Sequence, residues 1–301
     1  MDKGLAALYT DFMQRVFEKL FRLCMGLFTS IGVLALGFVL YFILREALPL
    51  FAQVSVKDFL FGTRWMPIAY VGEPSYGIFH FILGTLYVSF LAMVFASAVG
   101  IGAALFLACM ASEKARSWLY PCIDLLAGIP SVVYGLVGMM VLVPGIRKVF
   151  HVPDGASLLA AIIVLAIMIL PSIIKVTVTA LEAVPAEYED ASLALGATPI
   201  ETYFRVSVPA AKSGIAAAVV LGVGRAIGEA MAVMMVSGNA TSRMPSLFES
   251  VRFLTTAVAS EMSYSSGLQQ QALFSIALVL FLFIMLINAG LNLLLKRNKE
   301  G

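Results

Sequence analysis

Arg225 and Glu229 stand four residues apart in the stretch Ser213 to Ser242, which carries no other charge. Counted from Ser213 along a helix, Arg225 lies about 18 Å in, near the middle of a bilayer. A charge at that depth costs roughly 3 kcal/mol on insertion scales, so it must face protein or water. A spacing of four puts Glu229 on the same helical face, one turn further on. Two chemistries suit such a pair. It could neutralise itself and lock two helices, or it could present a guanidinium to a passing anion while the carboxylate holds that cation when the path is empty.

Other chemistries find little support. No stretch reads GxxxxGK followed by Ser or Thr, so nucleotide hydrolysis by a phosphate-cradling loop is not expected of this chain and its energy must come from a partner or a gradient. His80 and His151 are isolated, and Cys24, Cys109 and Cys122 are odd in number and lack CxxC spacing, so neither a metal nor a cofactor site is expected. No nucleophile stands beside a base, which argues against an enzyme. A net charge of +2 points to no nucleic-acid partner. Asp124 and Lys175 each fall near one end of an apolar stretch, where snorkelling explains a charge, and they carry no site in this reading.

The elements that must position Arg225 and Glu229 are membrane helices. With 61% hydrophobic and 13% charged residues, the composition does not suit a soluble surface. Charge-free stretches run Leu23–Leu44, Pro74–Ser112, Leu125–Ile146, Gly155–Ile174 and Met262–Leu295, each reaching the roughly 20 residues needed to cross hydrocarbon. With Ser213–Ser242 they make about six spans of an all-α polytopic protein. No small-residue cleavage pattern closes the first span, which is expected to be retained. Twelve Lys and Arg fall on the flanks that would be cytoplasmic if the N-terminus is inside, against seven on the other side, so both termini are expected in the cytoplasm.

The chain divides accordingly into residues 1–79 (cytoplasmic N-terminus, first helix and outer loop), a membrane core at 80–295, and a short tail at 296–301. The outer loop Pro49–Phe79 holds turns and interfacial aromatics, among them Trp65, Tyr70 and Tyr76. The inner loop at about 182–211 reads as a short amphipathic helix, starting near Pro185 and stopped by Gly196 before Pro199. The third span contains Gly128, Pro130, Gly135, Gly138 and Pro144. It is either a kinked, tightly packed helix or a discontinuous one beside a substrate path.

Asp190-Ala191-Ser192, three residues, Gly196, nine residues, then Val206-Ser207-Val208-Pro209 resembles the E-A-A…G…I-x-L-P signature of ABC-importer permeases. Asp replaces Glu, Ser the second Ala, and Val both larger apolar residues. Gly128 to Leu136 and Gly224 to Val233 resemble the permeases of phosphate-specific importers, with Ala230 where Thr is usual. Met231-Ala232-Val233 and Ser237-Gly238-Asn239 are closer to the PstC branch than to PstA, and Trp65-Met66-Pro67, Tyr76-Gly77-Ile78 and Gly84-Thr85-Leu86 fit the same family. The resemblance covers roughly residues 60 to 295.

It implies a type I importer permease fold in the bacterial inner membrane and a heterodimer with a PstA-like permease subunit. It also implies two ATPase subunits and an extracytoplasmic phosphate-binding protein. Phosphate would pass by alternating access along a path with Arg225, Glu229, Ser131 and Tyr134, and Asp190, Ala191, Ser192 and Gly196 would couple to the ATPase. Rival readings are a permease for sulfate or molybdate, a gradient-driven carrier working alone, and a scaffold for phosphate sensing.

Overall fold

The computed structural model of the protein describes residues 2–68, 72–241 and 245–297. Tyr70, Ser242, Arg243 and the tail beyond Arg297, all used in the sequence reading, lie outside them.

The chain opens with α1 (Asp2–Ala47), whose helix runs well before the apolar stretch, followed by a 3₁₀ turn at Leu48–Ala52. Next comes α2 (Val56–Phe61), capped by Ser55, whose hydroxyl accepts the Asp58 N–H at 3.0 Å. Strands β1 (Trp65–Met66) and β2 (Ser75–Tyr76) pair antiparallel, Trp65 opposite Tyr76, and add one small hairpin to an otherwise helical protein. Then α3 (Phe79–Leu105) continues through a π turn at Phe106–Met110.

The third apolar stretch is discontinuous. α4 (Glu113–Gly128) ends because Pro130 disfavours helical geometry at Ile129, which is extended at φ −67°, ψ 127°. The chain restarts as α5 (Ser131–Val137), passes a π turn at Gly138–Leu142 and finishes as α6 (Val143–Phe150). The membrane-length segment is therefore Ser131–Phe150 rather than Leu125–Ile146, and Leu125 to Gly128 belong to the preceding helix.

α7 (Leu158–Glu182) starts at Ser157, whose hydroxyl accepts the Ala160 N–H. It outruns the expected span by two turns, so Lys175 is an interior residue rather than an end residue. After Pro185 comes α8 (Ala186–Ala194), ended by Gly196 at φ +88°. There Ala197 N–H bonds Ser192 C=O and Gly196 N–H bonds Leu193 C=O, a Schellman closure that needs the left-handed residue. α9 (Pro199–Thr202) carries a capping box of Thr198 and Glu201, and a π turn at Tyr203–Ser207 leads to α10 (Val208–Ala210).

α11 (Lys212–Gly228) turns away from the Pro199–Ala210 segment by 68°. It is followed by α12 (Met231–Val236), α13 (Leu254–Glu261) and α14 (Gly267–Arg297). Among the described residues five helical stretches are long and apolar enough to span a membrane, and the bent pair makes a sixth. The continuous helix expected over Ser213–Ser242 is instead broken at Glu229–Ala230.

α7 is the central post, with fifteen of its residues buried inside the chain, whereas the apolar stretch of α1 is exposed along most of its length. Its core partners are α3, α11 and α12, through Val88, Ala92, Ala96, Ala226, Ala232 and Val233. Gly135 and Gly138 let α5 lie close on α12 and α7. A Cβ at Gly135 would meet the Ala232 backbone at 2.9 Å, and one at Gly138 would meet Val164 and Val236 at 2.7 and 2.8 Å.

A second core sits at the hairpin end, under Trp65, Tyr76, Phe81, Leu254 and Leu273. Here Arg252 and Glu261 form an ion pair with side chains only 11% and 21% exposed. Glu261 also accepts from Trp65 Nε1 at 3.2 Å and Gln269 Nε2 at 3.0 Å, and Arg252 lies over the Phe81 ring. Burial pushes the Tyr76 hydroxyl above its ordinary range, so it stays protonated beside this cluster.

Candidate functional site

Two helix breaks, at Ile129–Pro130 and at Glu229–Ala230, are brought together by the packing of α5 against α12. Ser131 is the first residue of α5 and is half-buried. Tyr134, one turn on, donates its hydroxyl to the Leu126 carbonyl at 2.7 Å. That carbonyl lies in the last turn of α4 and also accepts the Ile129 N–H at 3.4 Å, so the tyrosine gives it a shorter, second donor across the break.

Arg225 is exposed on α11, three residues before that helix ends. Its Nη1 donates to Ser172 Oγ on α7 at 2.9 Å. A guanidinium has five N–H donors, and the exposed residue can offer the others to a forked acceptor.

Glu229 does not behave as its spacing predicts. It sits just past the end of α11 in extended conformation, φ −73° and ψ 130°, so it is not one turn further on the same face. Among the described residues no ion pair joins it to Arg225. Its Oε1 accepts the Ala232 N–H at 3.0 Å, covering an open donor in the first turn of α12, and its carbonyl accepts from Thr255 Oγ1 at 2.8 Å. Glycine beside it at 228 and the turn-forming carboxylate explain the break: the side chain serves the next helix, not the last one.

Asp124 and Lys175, assigned no site by the sequence reading, form an ion pair between α4 and α7. One step along the same seam, toward the α8 end, Arg116 donates to the Ala108 carbonyl and lies 3.9 Å from Glu182, which also accepts from Tyr120 at 3.3 Å. The sequence signal for this seam was present: Arg116, Tyr120 and Asp124 recur every four residues on α4, and Lys175 and Glu182 seven apart on α7. Ser172 offered none, because a lone serine in an apolar helix carries no pattern.

The loop between α7 and α11 presents α8 with no buried residue. Asp190 and Ala191 are exposed, Ser192 is tied back to Thr202 by a 2.9 Å hydroxyl contact, and Ser207 donates to Glu189 at 2.7 Å. Leu195, beside Gly196, is 90% exposed, with Tyr188 and Phe204 also open. The loop is thus braced from behind and apolar in front, the form of a surface that another protein covers.

Together these features define a helical membrane protein with broken spans and a braced helix at one end. Residues 99–300 match the family described as binding-protein-dependent transport system inner membrane component, and the chain belongs to that family. It is 41% identical to the probable ABC transporter permease protein YqgH of Bacillus subtilis, over 78% of this chain and 77% of that protein. It is 34% identical to the phosphate transport system permease protein PstC of Pasteurella multocida, over 95% of this chain and 94% of the relative.

Among solved structures, a chain of the MetNI methionine ABC transporter in an inward-facing conformation superposes with a TM-score of 0.58, at 18% identity, covering 72% of this chain and 93% of that one. An amino acid ABC transporter chain gives 0.54 at 21% identity, covering 73% and 92%. The fold is that of type I ABC-importer permeases.

Proposed function

We propose that this chain is one of two transmembrane subunits of an ATP-driven importer that passes inorganic phosphate from an extracytoplasmic binding protein to the cytoplasm. The observation that carries the reading is Arg225, an exposed guanidinium on an apolar helix, held by one serine of α7 three residues before the break that ends α11. A forked, permanently charged donor suits phosphate oxygens, and its exposure in the single chain fits a path shared with a second, PstA-like subunit. The permease relatives named for phosphate transport point the same way.

Ser131 and Tyr134 line the opposite side of the path, and Glu229 sets the turn that starts α12 beside it. Asp190, Ala191, Ser192 and Gly196 dock on the ATPase subunits, with Leu195 entering their groove. Both termini lie in the cytoplasm and the hairpin outside. A cysteine at Ser75 is then labelled by an impermeant thiol reagent from outside and one at Ser112 only after lysis; outside labelling of both refutes this topology.

The deciding experiment reconstitutes the chain with its copurifying subunits and follows radiolabelled phosphate. Arg225→Gln is expected to lower uptake by about two orders of magnitude with assembly intact, the scale of two lost hydrogen bonds to a charge. Arg225→Lys recovers part of it. Adding Glu229→Gln to Arg225→Gln recovers nothing, because the two do not form a pair. Normal uptake by Arg225→Gln sinks the path, and import of sulfate in place of phosphate reassigns the substrate.

A further inference from the structure

We propose that Lys175 is a second cation on the anion path, one turn of α7 beyond the Ser172–Arg225 contact, and that Asp124 holds it until the travelling anion displaces the carboxylate. This rests on the phosphate reading above and adds a resting place between Arg225 and the cytoplasm.

Ile173, Ile174, Thr177 and Val178 of α7 are buried, whereas Ser172, Lys175 and Thr179 are half-buried or exposed. Spacings of three, four and seven place those three residues on one face. Ser172 and Lys175 are about 4.5 Å apart along the helix axis, so the cation held by Asp124 is the next charge met by an ion leaving the Ser172–Arg225 contact toward the α8 end.

Seven further helical residues separate Lys175 from the end of α7, so it lies roughly 10 Å inside that helix. A charge at such depth facing lipid is costly, and both side chains remain open in the chain, 41% exposed for Lys175 and 61% for Asp124. The pair must therefore face a partner subunit or water. Asp124 also lines an open cleft of ≈ 680 Å³ with Pro121, Gly128, Ile129 and Pro130, which leads to the α4–α5 break.

The same pair could serve only to tie α4 to α7. That task is already met one step along the seam, where Arg116 and Tyr120 both reach Glu182 and Arg116 also ties α4 to the Ala108 carbonyl of the π turn after α3. An open, single-contact ion pair contributes little, so an oxyanion can take the place of the carboxylate at small cost. The difference in side chain fits a direction of travel. The fork of Arg225 captures and orients, and the single hydrated ammonium of Lys175 binds more loosely and releases.

The test uses the whole importer in proteoliposomes, with phosphate uptake and ATP hydrolysis measured for Lys175→Gln, Asp124→Asn and the double variant. Lys175→Gln is expected to lower uptake roughly tenfold or more, the scale of one charge-assisted hydrogen bond, with ATP hydrolysis continuing. Asp124→Asn keeps most of the uptake, because the cation remains. The double variant is as slow as Lys175→Gln, and Lys175→Arg, which keeps the charge but adds the fork, recovers only part of the rate.

A tether gives the opposite pattern: the two single variants fall together, and the Asn–Gln pair, which can still hydrogen-bond, recovers. That result overturns the proposal, as does a loss in Asp124→Asn equal to that in Lys175→Gln should the latter fail to assemble. An assembled wild-type importer that hydrolyses ATP and moves no phosphate marks the failure of the phosphate reading itself, before any variant is compared.

Discussion

The hairpin end and the helix breaks both hold charge, and they hold it differently. Glu261 has Arg252, Trp65 and Gln269 as partners, and Arg252 adds the Phe81 ring, so that pair is enclosed by the hairpin, α3, α13 and α14. Arg225 has a single hydrogen bond to Ser172, and Lys175 a single ion pair to Asp124. A charge with three or four partners is fixed, since any exchange leaves the others unmatched in a dry site. A charge with one partner at an open surface can change partners. Partner number, more than the presence of charge, separates the pair locked into the fold from the charges left free to exchange.

The largest effect that bears on this contrast is Glu261→Gln, which strands Arg252 in its enclosed site. It is expected to lower stability by about 3–5 kcal/mol, read as a drop in thermal unfolding temperature and membrane level, while each complex that does assemble transports normally. Unchanged stability would make the hairpin-end pair as dispensable as a surface one. A smaller loss is expected when both members are replaced, as in Arg252→Leu with Glu261→Leu, because no uncompensated charge remains. The smallest is Tyr134→Phe, which deprives the Leu126 carbonyl of its donor across the break. About 1 kcal/mol should be lost, seen as a modest fall in uptake with little change in unfolding temperature. A fall as large as that from Arg225→Gln would show that the hydroxyl meets the ion itself.

Much of this was legible in the residues. The apolar stretches were long enough to mark the spans, Gly196 before Pro199 marked the end of α8, and Gly128 with Pro130 left a kink or a break open, of which α4 and α5 display the break. Arg225 stood out because a charge deep in an apolar run must face protein or water, whether it locks two helices or meets an anion. The pairing of Arg225 with Glu229 failed for a physical reason: spacing of four implies a shared face only while the helix lasts, and α11 ends at Gly228. Asp124 and Lys175 were dismissed because span ends were drawn at the nearest charges. α7 runs on through its lysine, and that extension turns an end residue into an interior one. The seam from Arg116 to Asp124 needed the neighbouring helix before its four-residue rhythm meant anything.

Among the described residues three π turns, at Phe106–Met110, Gly138–Leu142 and Tyr203–Ser207, interrupt the helices. Each carries one residue more than a regular turn would hold. Because the extra residue is taken up within the turn, the helix beyond it keeps the phase it would have without that residue. Shortening the chain by one residue within Gly138–Leu142 would leave an ordinary helix with Ile146 still facing the core. The same deletion in a regular stretch of α7 would rotate every later side chain by about 100°. The bulge is thus a point of slack, where a change of one residue in length is absorbed locally instead of being passed to every later position.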